Sequence, residues 1–454
     1  MKILYPILLL FFLSRMNVYA EKNQAKDTTK TSGQTEKIKK GWNFGGLPIL
    51  GYDSDLGLQY GALANIFYYG DGSTYPQYFH QFYFEVSRYT KGTGINQFFF
   101  DSKKLIPEIR VTTDVTYLTE KTLNFYGFNG YQSVFNQPWE DDTKDSTIYK
   151  SRVFYRHERE LLRVGLDFQG KFFDKRLLWL AGFTFLEIHT GPVDIARLNK
   201  GKDENKKLPD IPGLYDDYVA WGIIPDVEKD GGMNNFVKLG LIYDTRDNEP
   251  NPMRGIWSEV VLALAPQFIG DGHFSFVKLS VTHRQYFTLV KRDLSFAYRI
   301  GYQGTIAGKA PFYIQPYMIN SFSETTTIDG LGGSRTLRGI LRNRVVGDGV
   351  GFLNAELRWK FCHFHFIRQN FYLALNAFGD AGMVLQPISI DKSHIPDTIN
   401  QSLYFGGKES PHVAVGGGFR IVMNQNFIVS VDYGQAIDKR DGNNGVYVSL
   451  GYLF

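Results

Sequence analysis

In the stretch Phe352–Phe361 the residues Leu353, Ala355, Leu357, Trp359 and Phe361 alternate with Asn354, Glu356, Arg358 and Lys360. Successive side chains of a β-strand point to opposite faces, so this run has one greasy face and one charged face. The pattern recurs: Leu294, Phe296, Tyr298, Ile300 and Tyr302 alternate with Ser295, Ala297, Arg299 and Gly301. At the end of the chain Val446, Val448, Leu450, Tyr452 and Phe454 alternate with Tyr447, Ser449 and Gly451. A soluble sandwich alternates too. Here Arg299, Glu356, Arg358 and Lys360 suit a wet lumen, and the opposite faces stay aliphatic and aromatic to the strand end, as lipid contact requires.

Sixteen such segments are predicted, at about 43–51, 56–69, 78–89, 94–102, 109–118, 148–171, 177–189, 235–245, 256–266, 273–290, 293–304, 349–360, 371–380, 412–422, 427–434 and 445–454. An even number brings both ends of a barrel to one side. Short connections (Asp174-Lys175-Arg176, Lys291-Arg292, Asn424-Gln425-Asn426) contrast with long ones at about 119–147, 190–234, 305–348 and 381–411. Short periplasmic turns and long outer loops are the outer-membrane arrangement. In hydrocarbon every backbone N–H and C=O needs an internal partner, and a closed barrel leaves no edge. The expected fold is all-β: a 16-stranded antiparallel transmembrane β-barrel in the bacterial outer membrane, its outer face against lipid.

Aromatics at 16% and 47 glycines fit short alternating strands, and the net charge of +4 gives no signature of nucleic-acid binding. Lys2, the apolar run Ile3–Leu13 and Val18-Tyr19-Ala20 read as a signal peptide over 1–20. Residues 21–41 are polar and lysine-rich and read as a flexible periplasmic linker, leaving 42–454 for the barrel. Cys362 is the one cysteine, so no disulfide forms within the chain.

Catalytic signatures are missing from the sequence. There is no G-x-S-x-G elbow, and Val415-Gly416-Gly417-Gly418 lies in a strand with no helix after it. His363 and His365 beside Cys362 fit a periplasmic turn better than a metal site, and Glu140-Asp141-Asp142 reads as solvated charge. The expectation is no enzyme, no cofactor and no metal.

Four pieces then carry a resemblance. Leu337-Arg338-Gly339-Ile340 resembles the V-R-G-F/Y motif of the Omp85 superfamily (the BamA/TamA or bacterial surface antigen family), in the loop after the eleventh strand. Phe378-Gly379-Asp380-Ala381-Gly382 resembles its F-x-D-x-G strand, and Asn354-Ala355-Glu356-Leu357-Arg358 the strand after the loop. Tyr243-Asp244-Thr245-Arg246-Asp247-Asn248, with Asn251-Pro252 and Arg254-Gly255, resembles its periplasmic turn; Asp244, Arg246, Asp247, Pro252 and Gly255 are the candidates there. Tyr452 and Phe454 supply the C-terminal strand signal of many outer-membrane barrels. The likeness covers roughly 235–454 well and is looser over 42–234, where it rests on pieces such as Asn124-Phe125-Tyr126-Gly127-Phe128.

The resemblance implies a loop between strands 11 and 12 that folds into the barrel. Parity points Glu356 and Asp380 into the lumen on neighbouring strands, where such a loop brings Arg338 to them. A guanidinium grips carboxylates as a planar fork, and Gly339 lets the backbone turn. Arg338, Gly339, Glu356 and Asp380 are thus the expected latch, while Arg335, Arg342 and Arg344 are read as solvating the loop or lining the lumen. The family's barrels insert or secrete proteins with periplasmic POTRA domains. No such module fits into 21–41, so periplasmic or outer-membrane assembly partners are expected to supply that function. The leading expectation is a part in outer-membrane protein assembly or translocation, or an accessory to it, with the first and last strands parting at a seam. The alternatives are a structural or auxiliary subunit of an outer-membrane complex, and a gated channel.

Overall fold

The computed structural model describes residues 38–454 apart from 76, 173–175, 322–328, 367–368 and 424–426. The predicted signal peptide, the linker up to residue 37, and the turn residues Asp174, Lys175 and Asn424–Asn426 lie outside the described residues.

The strands are β1 (Trp42–Asp53), β2 (Gly57–Tyr68), β3 (His80–Tyr89), β4 (Thr93–Ile106), β5 (Ile109–Asn124), β6 (Arg156–Lys171), β7 (Leu177–Gly191), β8 (Gly231–Met233 and Phe236–Asp244), β9 (Gly255–Ala265), β10 (Phe276–Val290), β11 (Leu294–Gly308), β12 (Gly349–Phe366), β13 (Gln369–Gln386), β14 (His412–Met423), β15 (Phe427–Ala436) and β16 (Asn444–Leu450). Each pairs antiparallel with its sequence neighbours, and β16 returns to β1. Both pieces of β8 pair with β7. At the break, Asn235 Oδ1 accepts the Leu186 N–H at 3.1 Å and fills the ladder position. Among the described residues this is a closed 16-stranded antiparallel barrel.

Its two faces are inverted relative to a water-soluble protein. On β12, Leu353, Leu357 and Trp359 are 43, 42 and 51% exposed, whereas Asn354, Glu356 and Arg358 are 0, 0 and 2%. The apolar side chains await lipid and the charges fill the interior, as period-two alternation in a membrane barrel demands.

At the loop end, the long connections do not stand free. Phe125, Phe154 and Tyr155 between β5 and β6, Tyr218 and Trp221 at the helical turns after β7, and Tyr404 and Phe405 before β14 join one buried aromatic cluster. Two short helices, α1 (Ile195–Asn199) and α2 (Leu214–Ala220), belong to the β7–β8 connection. Phe125 meets Tyr218 edge-on at 5.4 Å, and Trp221 meets Tyr404 at 5.0 Å. This cap explains one departure from the sequence reading. Strand six was expected from 148 but starts at Arg156, because Phe154 and Tyr155 are drawn into the cap, 1 and 0% exposed.

The last strand departs as well. Alternation predicts β16 running to Phe454, with Tyr452 and Phe454 on the lipid face. Instead β16 ends at Leu450, and Gly451, at φ +88°, turns the chain inward. Phe454 is 6% exposed, inside the barrel beside Tyr286. The guanidinium groups of Arg299 and Arg358 lie 5.3 and 4.9 Å from its ring, and cations attract an aromatic face where lipid offers nothing comparable.

Candidate functional site: the lumen loop, the seam and the turn

The described residues of the β11–β12 connection (309–321 and 329–348) enter the lumen and fold on themselves. Leu331 and Val345 exchange backbone hydrogen bonds at 2.9 and 3.1 Å, and the Gly333 N–H donates to Ile340 O at 2.8 Å. Thr336 Oγ1 accepts from the Gly332 N–H at 2.8 Å and donates to Gly332 O at 2.9 Å. Leu331, Leu337, Ile340 and Val345 are at most 1% exposed and pack with Val350, Phe352, Val384, Ala414 and Ala436. The loop therefore carries its own small apolar core into a polar lumen.

Arg338 stands at the tip, 1% exposed. Its Nε donates to Asp380 Oδ2 at 2.9 Å and its Nη2 to Asp380 Oδ1 at 3.0 Å, a two-pronged grip. Nη1 donates to Glu356 Oε1 at 2.5 Å and lies 3.8 Å from Asp432 Oδ2. The Arg338 backbone N–H also donates to Asp380 Oδ2, at 3.0 Å. The Phe378 ring lies beneath the guanidinium at 3.5 Å. Asn354 Nδ2 donates to both Asp380 Oδ1 and Thr336 O, tying carboxylate to loop. Gly339 sits at φ +95° and passes so close to β15 that a Cβ there would meet the Gly434 carbonyl carbon at 2.5 Å. Any other residue would collide with backbone, which cannot step aside. The structure thus brings Arg338, Gly339, Glu356 and Asp380 together.

Arg342 and Arg344 do more than solvate the loop. Arg342 Nη2 lies 2.8 Å from Glu120 Oε1 and 3.0 Å from Asp329 Oδ2, and Arg159 holds the same Asp329 through both terminal nitrogens at 2.8 Å. Arg344 donates to the carbonyls of Gly130, Ser133 and Arg440 at 3.0, 3.1 and 2.9 Å, pinning the loop to the cap. The Arg299 side chain donates to Arg335 O at 3.2 Å. Glu120 lies past 118, the end that alternation predicts for strand five, whereas β5 runs on to Asn124. The inward parity of Glu120 with Asp114 and Thr116 is the signal that finds it.

The seam between β1 and β16 is short. The register pairs are Tyr52↔Val448 and Asp53↔Tyr447, with the Ser54 N–H donating to Val446 O at 3.1 Å. On its other side β1 pairs with β2 along its full length, Trp42 to Asp53. The lumen loop touches both sides of this seam. The Gly339 N–H donates to Tyr447 Oη at 3.1 Å on β16, and the Arg342 N–H to Asp55 Oδ1 at 3.2 Å in the β1–β2 turn. Burial first, then the Asp53 carboxylate, pushes the Asp55 carboxyl up to about 7, against the pull of Arg342 and Lys91.

The β8–β9 turn folds across the turn end of the barrel. Arg246 grips Asp244 through Nε at 2.9 Å and Nη2 at 2.7 Å. Asp247 Oδ1 accepts the N–H groups of Met253 and Arg254 at 3.0 and 3.3 Å. Pro252 is buried, and Gly255, at φ +107°, would bring a Cβ to 2.4 Å from Thr245 O. From this frame Asn251 Nδ2 reaches Tyr372 Oη on β13 at 2.6 Å, while Glu249 reaches Arg110 on β5 at 3.4 Å and Lys103 on β4 at 3.6 Å. Burial alone would raise the Glu249 carboxyl, but Arg110, Lys103 and Arg246 together hold it down at about 2. The turn thus bridges opposite walls of the barrel.

Residues 80–454 match the Omp85 superfamily domain. No curated protein sequence matches the chain. Among solved structures, BamA from Haemophilus ducreyi lacking POTRA domains 1–3 superimposes with a TM-score of 0.51 at 12% identity, over 91% of this chain and 71% of that one. CdiB from Escherichia coli gives 0.53 at 10% identity, over 92% of this chain and 64% of CdiB. At such identities the likeness is one of fold.

Proposed function

The chain belongs to the Omp85 superfamily of outer-membrane β-barrels, and from that premise we propose that it acts in outer-membrane protein assembly or translocation, directly or as an accessory, through the β1–β16 seam. The observation that carries this reading is the seam itself. β1 is fully paired to β2, yet among the described residues it meets β16 only at Tyr52 and Asp53. The backbone from Trp42 to Gly51 on that side is an edge, and an edge is a template for another strand. Among the described residues the lumen is filled by the loop at its latch and capped at the loop end, which favours a sideways route for a polypeptide over a straight one. The same filling argues against the gated-channel alternative. Partners are lipid along the apolar band and assembly proteins of the periplasm or outer membrane.

The test is a lock on the seam. Cysteines at Tyr52 and Val448, with Cys362→Ser, face each other across the existing register. Under oxidation the locked barrel should lose its support of outer-membrane assembly in cells and regain it with reductant. A fully cross-linked barrel that works as well as the reduced one would remove the seam from the mechanism.

A further inference from the structure

The latch lies in a loop, and the inward-turned end of the chain is a strand terminus some hundred residues away. Here they share side chains. Glu356 takes Arg338 of the loop on Oε1 at 2.5 Å, and Arg358 on Oε2 at 2.7 Å. Arg358 then donates through Nη2 to the main-chain oxygen of Phe454 at 2.8 Å and lies 4.4 Å from the Tyr452 ring. A second path runs in parallel. Asp432, 3.8 Å from Arg338, accepts from Arg420 Nη2 on both carboxylate oxygens at 2.9 Å, and the Arg420 guanidinium lies 5.3 Å from the centre of the Tyr452 ring. A third residue, Arg299, holds Arg335 O of the loop and stacks near Phe454. Glu356, Arg358 and Arg420 are 0, 2 and 0% exposed.

We propose that Arg358 is a positioning residue that couples the lumen loop to the last strand, so that the loop's hold on Glu356 fixes where the chain leaves the β1 edge at Gly451. The reasoning is electrostatic. Glu356 is shared by two buried guanidinium groups, and removing either leaves the carboxylate with half its partners and the other arginine free to reorient. Arg358 has one fork to spend on Glu356 and on Phe454 O together. If Arg338 leaves, Glu356 draws Arg358 toward the vacated oxygen and the bond to Phe454 weakens. If Arg358 leaves, the tail loses its anchor and Glu356 its orientation. The coupling is reciprocal, as any coupling of equilibria must be. It deepens the seam reading given above, because the tail it fixes is the end of β16 that is withheld from β1.

The experiment uses the full-length barrel folded in lipid vesicles, with Cys362→Ser and one nitroxide label at a time: Ser334→Cys reports the loop and Leu453→Cys the tail. The variants are Arg338→Met and Arg358→Met, which keep length and remove charge, with Arg358→Lys and Arg358→Gln as milder versions should the methionine variant fold poorly. Only heat-modifiable, folded barrel is analysed. Each methionine variant should mobilise the label at the distant site as well as its own, by roughly twofold or more in the mobile-to-immobile ratio, the low end of what coupled neighbours show. Arg358→Lys keeps the charge beside Glu356 but lacks the fork, so it should hold the loop label and free the tail label in part. The double variant should fall short of the sum of the singles. If Arg358→Met frees the tail while the loop label stays immobile, and Arg338→Met leaves the tail unchanged, the two anchors are independent and the proposal is wrong. No readout here depends on assembly activity, so a failed seam lock and a failed coupling are told apart.

Discussion

Replacing Arg338 by alanine strips two buried carboxylates, Asp380 and Glu356, of their shared cation. Breaking a buried pair from one side costs about 3–5 kcal/mol, because the orphaned charge stays desolvated. We expect R338A to lower the urea midpoint of barrel unfolding accordingly and to expose the loop to protease; retention of wild-type midpoint and protection would mean the loop is held by its apolar core alone. Arg338→Lys should lie between, since an ammonium replaces the fork by a point charge. Asp55 is the pH-sensitive member of the set. Its folded carboxyl titrates at about 7, above the ordinary value of 3.8. The folded state thus binds a proton more tightly than the unfolded state between those values, and stability falls as pH rises through that window, levelling off above about 7. Hydrogen exchange at the Arg342 amide, corrected for intrinsic rates, should report easier opening at pH 8 than at pH 5, and D55N should flatten the dependence. An unchanged slope in D55N would assign the effect to another group.

At the scale of the element, β1 is built as an edge. The Ser54 N–H points to β16, so by alternation the even-numbered residues of β1 turn their amide nitrogens to the seam. Pro48 is among them and has no hydrogen to give, as suits an edge strand. Opposite it, β16 has already turned away at Gly451. Pro48→Val returns one donor, worth about 0.5–1.5 kcal/mol when paired. In an L50C/L450C background, which continues the observed register, P48V should raise disulfide formation across the seam. Equal yields in both backgrounds would mean that Gly451 alone sets the end of pairing. The strands themselves were legible in the sequence, because lipid on one side and a wet lumen on the other write the strongest period-two signal a chain can carry. The parity of β12 and β13 likewise points Glu356 and Asp380 inward, and both are buried. What alternation could not reveal was where a strand yields to tertiary packing: Phe154 and Tyr155 alternate well enough to extend β6, yet the aromatic cap takes them. Phe454 continues a lipid-facing parity, yet one glycine at positive φ and two arginines turn it into the lumen.

For the whole molecule, the cap, the lumen loop and the β8–β9 turn occupy the interior at three levels, and the seam is the weak line in the wall. Asn251 and Glu249 reach walls on opposite sides of the turn end, contacts between residues more than a hundred positions apart that no local pattern encodes. A barrel so filled is poorly suited to free diffusion and well suited to work at its side, and that is the claim to test. The direct measurement is depletion of this protein in its native bacterium, with the outer-membrane proteome quantified before growth fails. If the barrel works in assembly, several unrelated outer-membrane barrels should fall together ahead of any general decline. An outer-membrane proteome that stays intact as the protein disappears, or that loses one complex alone, would contradict a general role in assembly.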